Sequence, residues 1–129
     1  MAQVDSPTNK GYAKAAGLMA ALSLWIALDE GDMGSNDATT NAAIDECVVS
    51  GLARAAATVT NITTTVANDT MQATKTFTSG GDATLTGFLE MSAAADGDCY
   101  QWCAFNASQV LESGDQIVCT AKTQYLLGS

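Results

Sequence analysis

An antiparallel β-sandwich carrying one or two short helices toward its amino end is the fold this chain predicts, and three features predict it. Runs of apolar and polar residues alternate with a period of two through most of the chain after Gly51. Turns rich in Gly, Asp and Asn divide these runs at short intervals, and helical spacing is confined to the segments before Gly51. One domain is expected over 11–129, preceded by an irregular arm, 1–10, that holds Pro7, the one proline of the chain.

In chain order, Tyr12, Ala15, Ala16 and Met19 recur at helical spacing, so Tyr12–Leu22 reads as an amphipathic helix with a small-residue face suited to lying against a sheet. Ser23–Leu28, SLWIAL, switches to a short apolar strand in which Trp25 is the natural core anchor. The loop Asp29–Asp37 gathers acidic residues, but their spacing does not match the twelve-residue calcium loop, so a solvated turn is expected and no metal is assigned. Ala38–Val49 reads as a second helix, capped by Asp37, striped by Ala43, Ile44, Cys47 and Val48, and stopped at Ser50-Gly51.

Gly51–Phe77 is the organising stretch. Met71, Ala73, Lys75 and Phe77 share one face of its second arm, and threonines fill the other. The first arm is less regular: it is either covered on both sides or slips in phase near Asn61, and the chain reverses at 66–69, so a β-hairpin is expected. Asp82–Met91 alternates Ala83, Leu85, Gly87, Leu89 and Met91 with Thr84, Thr86, Phe88 and Glu90; Gly87 inside it marks a bulge or a close backbone approach. Cys99–Phe105 is the next strand, Asn106–Gly114 a connection, and Asp115–Leu126 the last strand, with Ile117, Cys119, Ala121, Thr123 and Tyr125 on one face. The expected core is Trp25, Ile26, Val59, Phe77, Leu85, Phe105 and Ile117.

Charge and composition exclude several functions. Five basic residues against 14 acidic ones give a net charge of −9, the opposite of what phosphate neutralisation needs, so neither nucleic acid nor an anionic membrane is an expected partner. The apolar segment 12–28 contains Lys14 and Gly17 and is too short to span a bilayer, and no basic leader precedes it. With no histidine, a Ser-His-Asp or Cys-His pair cannot form, and neither standard phosphate-binding glycine loop occurs. Carboxylates of 29–32 or of Asp96 and Asp98 sit in expected turns rather than in a buried acid–base pair. The expectation is a non-enzyme without a cofactor.

Two groups of residues remain as candidate sites. Cys47, Cys99, Cys103 and Cys119 form an even set open to disulfide pairing, within or between subunits; Cys99 and Cys103, four apart in one strand, would stand about 13 Å from each other, too far to bond. Buried free thiols are the alternative, and zinc is disfavoured by the C-x₃-C spacing on a strand. Tyr100 and Trp102 would share a strand face opposite Cys99, Gln101 and Cys103; turned outward, that face makes an aromatic ledge for a receptor or carbohydrate.

The series NKGYAKAAGL, WIAL, SGLARAAATV, TTTVANDT, KTFT, TLTGFLEMSAAADGD, Phe105 and SGDQIVCTAK resembles a family of small virion structural proteins of tailed phages and archaeal tailed viruses, over about Asn9–Lys122. It departs from that pattern at Gly87-Phe88-Leu89, in the acidic loop after IAL, and in its cysteines. The resemblance implies a place on the virus particle: a capsid decoration (cement) protein that contacts the major capsid protein or other virion proteins and is made in the host cytoplasm, or else a tail, fibre or baseplate component with receptor or carbohydrate binding. Self-association into a homo-oligomer is expected with it.

Overall fold

The computed structural model describes residues 9–31, 45–65 and 67–124. Among these residues one helix, α1 (Asn9–Ala20), precedes seven strands: β1 (Trp25–Asp29), β2 (Ala55–Ala56), β3 (Thr58–Ile62), β4 (Thr70–Thr78), β5 (Ala83–Met91), β6 (Cys99–Leu111) and β7 (Gln116–Gln124). They form two antiparallel sheets, one in the order β2-β1-β5-β6 and the other β3-β4-β7, which gives the expected mainly-β sandwich with a short helix near the amino end. No described helix is long and apolar enough to cross a membrane.

The main core lies between the sheets, where Ile26, Leu28, Leu85 and Phe88 of the four-stranded sheet meet Phe77, Cys119 and Ala121 of the other, with Leu52 and Cys47 closing the cluster. Ile26, Phe77 and Leu85 are buried as expected; Phe105 and Ile117 are half-buried against this cluster, and Phe105 packs on Phe88 with ring centroids 6.0 Å apart. A second cluster, Ala27, Leu89 and Met91 with Trp25, Cys99 and Trp102 against it, occupies the opposite face of the four-stranded sheet. There Trp25 is half-buried rather than the central anchor. A third joins Leu24, Met71 and Ala73 to Met19 and Ala20 of α1 and to half-buried Val59, so the helix covers sheet surface that β1 does not reach.

β4 is the strand whose pattern matches its environment most closely. Met71, Ala73 and Phe77 are buried while Thr76 and Thr78 are exposed, because β4 is central in its sheet and has one face on the core and one on solvent. The hairpin exists between β3 and β4, paired from Thr58↔Thr74 to Ile62↔Thr70, and it reverses through Asn68 at φ 58°. The irregular first arm is explained by a change of sheet: Ala55 and Ala56 pair with Ile26 and Trp25 of β1, Ala57 donates its N–H to Leu24 O at 2.9 Å, and Thr58 begins the other sheet.

Four expectations are corrected. Residues 45–49 are extended rather than the end of a helix: Glu46 bridges Asp29, Glu30 N–H donates to Asp45 O at 2.9 Å and Cys47 N–H to Leu28 O at 2.8 Å. Short β2 leaves that edge of β1 unpaired beyond Ile26, and 45–47 fills it; the rest of the expected helix, 38–44, lies outside the described residues. In β5 the single alternating face is broken by a register shift between Leu85 and Gly87, so Phe88 joins Leu85 in the main core while Leu89 and Met91 turn to the opposite face. β6 continues to Leu111, shortening the expected connection to 112–115. Finally, α1 starts at Asn9, inside the expected arm, whose residues 1–8 lie outside the described residues, as does Tyr125.

Candidate functional site

Strand β6 carries four of the six candidate residues, and its geometry decides what they can do. Against β5 it is interrupted twice. Glu90 pairs with Gln101 and Met91 with Cys99, which leaves Tyr100 unpaired; farther on, Leu85 pairs with Gln109 and Gly87 with Ala104, so Thr86 alone faces the excursion Phe105–Ser108. Each interruption changes which side chains share a face.

The expected aromatic ledge is therefore not formed. Tyr100 is 50% exposed, but Trp102 is half-buried in the second cluster alongside Cys99, the residue it was expected to oppose. Cys103 lies on the main-core side, so Cys99 and Cys103 are kept from pairing by facing opposite ways rather than by strand rise alone. All four cysteines are free thiols: Cys47 and Cys119 buried, Cys99 and Cys103 half-buried. Burial pushes the Cys119 thiol up to about 12, with Cys103 nearby adding to it. It also pushes Cys47 up to about 11, helped by a hydrogen bond to Glu30, and raises Cys99 and Cys103 in the same direction. Thiols held in this form are poor nucleophiles and poor metal ligands.

Among the described residues no group of three or more Cys, Asp or Glu side chains is placed to hold a metal ion. Of the acidic loop, Asp29 is fully buried and Glu30 exposed, and 32–37 lies outside the described residues. Glu30, Asp45, Asp82 and Glu112 line an open cleft of about 540 Å³ at one edge of the sandwich.

Two buried acids, Asp69 and Glu90, were not singled out by sequence reasoning, and a third, Asp29, expected in a solvated turn, is instead fully buried at the end of β1. Asp69 is fully satisfied within the β3–β4 turn: Oδ1 accepts from Thr64 N–H at 2.9 Å and Thr70 Oγ1 at 2.9 Å, and Oδ2 from Thr65 N–H at 3.1 Å and Gln124 Nε2 at 2.9 Å. Glu90, 2% exposed and level with Ile26 and Gln101 in register, has no hydrogen-bond partner for Oε2 among the described residues, and burial raises its carboxyl above the ordinary glutamate range. Asp29 ends β1. Its Oδ1 accepts from Gly31 N–H at 3.1 Å, and burial, with the Asp45 carboxylate adding to it, raises its pKa against the pull of the backbone N–H groups of Gly31, Asp45 and Glu30.

A cavity of about 370 Å³ opens beside the β6 excursion, lined by Thr86, Trp102, Phe105, Asn106 and Ser108 together with Gly31. The indole Nε1 of Trp102 is buried there and, among the described residues, has no acceptor. A glycine in mid-strand was the signal for this place: a Cβ on Gly87 would stand 3.2 Å from Trp102 Nε1 and 2.5 Å from Cys103 O. Comparison of the chain with protein-family models, with curated proteins and with solved structures finds no match.

Proposed function

We propose that this chain is a non-enzymatic structural protein of a tailed-virus particle, acting as a decoration protein that bridges major capsid subunits at the particle surface. The observation that carries this reading is the order of the segments on which the family resemblance rests. WIAL is the body of β1, ARAA leads into β2, KTFT ends β4, TLTGFLEM is β5 and QIVCTAK is β7, so most of the resembling pieces lie in strands of the sandwich, while TTTVANDT, SAAADGD and SGD fall between them. An acidic chain without histidine is also suited to a soluble building block and lacks the commonest general base. The segment 1–8 is the one we assign to a neighbouring subunit, and self-association would accompany assembly.

Mass spectrometry of purified particles tests the reading through copy number. A stoichiometry comparable with the major shell protein supports decoration; a few copies per particle would move the protein to the tail, fibre or baseplate, a reading favoured by the cavity beside Trp102. Absence from the particle would overturn both. Deleting 1–8 should lower particle occupancy while leaving the isolated sandwich folded.

A further inference from the structure

Three of the six asparagines begin an Asn-x-Ser/Thr sequence, at Asn61-Ile62-Thr63, Asn68-Asp69-Thr70 and Asn106-Ala107-Ser108, and the fold treats the three differently. Transfer of a sugar to such an asparagine needs its amide nitrogen and the hydroxyl two residues on to be presented together at the surface. Asn61 is half-buried against α1: its Nδ2 donates to Asn68 O at 3.2 Å, a Cβ on Gly17 would stand 3.8 Å from that nitrogen, and its Oδ1 is buried. Asn68 is exposed, but Thr70 is 1% exposed and its Oγ1 is held by Asp69 Oδ1 at 2.9 Å and Thr64 Oγ1 at 2.6 Å. Asn106, Ala107 and Ser108 are all exposed, and among the described residues no side-chain hydrogen bond ties up the Asn106 amide or the Ser108 hydroxyl. They also lie in the β6 excursion faced by Thr86 alone, on the edge strand of the sheet, so the β5 ladder does not restrain them.

We propose that Asn106 is an N-glycosylation site, modified by a glycosyltransferase whose donor is a sugar carried as a glycosyl diphosphate ester. Asn106 Nδ2 attacks the anomeric carbon of the donor. The N–C bond forms as the bond from that carbon to the diphosphate oxygen breaks, the diphosphate leaves with the electron pair, and one amide proton passes to a base of the transferase. Nothing is oxidised or reduced. The carrier is a nucleotide or a lipid, and both present the same leaving group. The position gives the sugar a structural consequence. β6 is an edge strand, whose unpaired main chain is open to pairing with another chain, and its stretch 106–110 is exposed throughout, Val110 to 70%. A glycan on Asn106 covers that edge with a hydrated group that cannot extend the sheet. It also starts beside the cavity of about 370 Å³, where Phe105 offers an aromatic wall to the C–H face of the first sugar ring. This site stands independently of the assembly reading.

The test is peptide mapping by mass spectrometry of the protein isolated from its native source, beside the same chain made in a bacterial strain without N-glycosyltransferases. An increment of whole sugar residues is expected on the peptide bearing Asn106, located on the asparagine by electron-transfer fragmentation, with none on the peptides bearing Asn61 or Asn68. A lone hexose identifies a nucleotide-linked donor, and an oligosaccharide of several sugar types a lipid-linked one. In the native host, Ser108→Ala should abolish the increment while leaving Asn106 in place, and Ser108→Thr should retain it, which separates recognition by a transferase from direct reaction with free sugar. Ser108 is exposed, so neither change disturbs the fold. A native chain unmodified at Asn106, an increment on Asn61 or Asn68 instead, or an increment that survives Ser108→Ala would overturn the proposal.

Discussion

Arg54 and Glu46 meet in a two-pronged ion pair, with Nη2 2.6 Å from Oε1 and Nε 3.2 Å from Oε2. The Arg54 side chain is 4% exposed, and its Nη1 also donates to Ala93 O at 3.0 Å and Asp96 O at 2.8 Å, so one guanidinium ties the extended 45–47 segment to the turn after β5. A planar fork can serve all of these acceptors at once, whereas an ammonium cannot. Arg54→Ala should destabilise the fold by about 2 kcal/mol, because Glu46 and the carbonyls of Ala93 and Asp96 lose their shared partner together. Arg54→Lys should recover less than half of that loss in urea denaturation; full recovery would show that charge alone matters at this position.

Asp69 plays a comparable part for the β3–β4 turn, where its two oxygens accept from Thr64, Thr65, Thr70 and Gln124. The bond from Gln124 also ties the turn to β7. Asp69→Ala should cost about 2 kcal/mol and increase amide exchange at 64–70 more than in the β5–β6 pair. Asp69→Asn keeps the shape and one acceptor oxygen, so it should fall between alanine and the parent.

Glu90 gives the stability a pH dependence with a definite sign. Burial raises its carboxyl in the folded chain, so the folded state holds its proton after the unfolded chain has released it. Its contribution is therefore fully present below the ordinary glutamate range and is lost as pH rises toward the raised folded value. Asp29, raised for the same reason, adds in the same direction. Glu90→Gln keeps the volume without the ionisation, so thermal unfolding between about pH 4 and pH 7 should lose less stability with rising pH than in the parent. A parent whose stability climbs steadily over that interval would contradict this assignment.

Residues of the fold were legible in the sequence where a strand has one face on the core and one on solvent, as β4 has. The period of two faded where that condition fails: β5 is covered on both faces from Gly87 onward, and β6 is rephased at Tyr100 and again at Phe105–Ser108, so neither shows which face is which. The segment 45–49 carries a helical stripe, yet the open edge of β1 at Leu28–Glu30 captures it in extended form. Gly87 was visible as a place of close backbone approach. That Trp102 Nε1 would cover it was not, because the two meet only through the register of β5 and β6.

The cysteines make the last prediction, and the geometry orders their reactivity. Cys47 and Cys119 are fully buried, with thiols pushed up to about 11 and about 12, so at neutral pH each is protonated and shielded. Alkylation needs the thiolate and access to it, and both must come from opening of the fold. Cys99 and Cys103 are half-buried near the bulge at Tyr100, and their thiols are raised by burial to a lesser extent. Treatment of the folded protein with iodoacetamide, followed by peptide mass spectrometry, should label Cys99 and Cys103 first and leave Cys47 and Cys119 unmodified until denaturant is added. All four should then react, since the fold holds them as free thiols. Two sites that stay blocked in denaturant until a reductant is present would establish a disulfide, and a reducible ladder on gels would place it between subunits. Early labelling of Cys119 would mean that the two sheets separate at β7 far more readily than its packing against the main core implies.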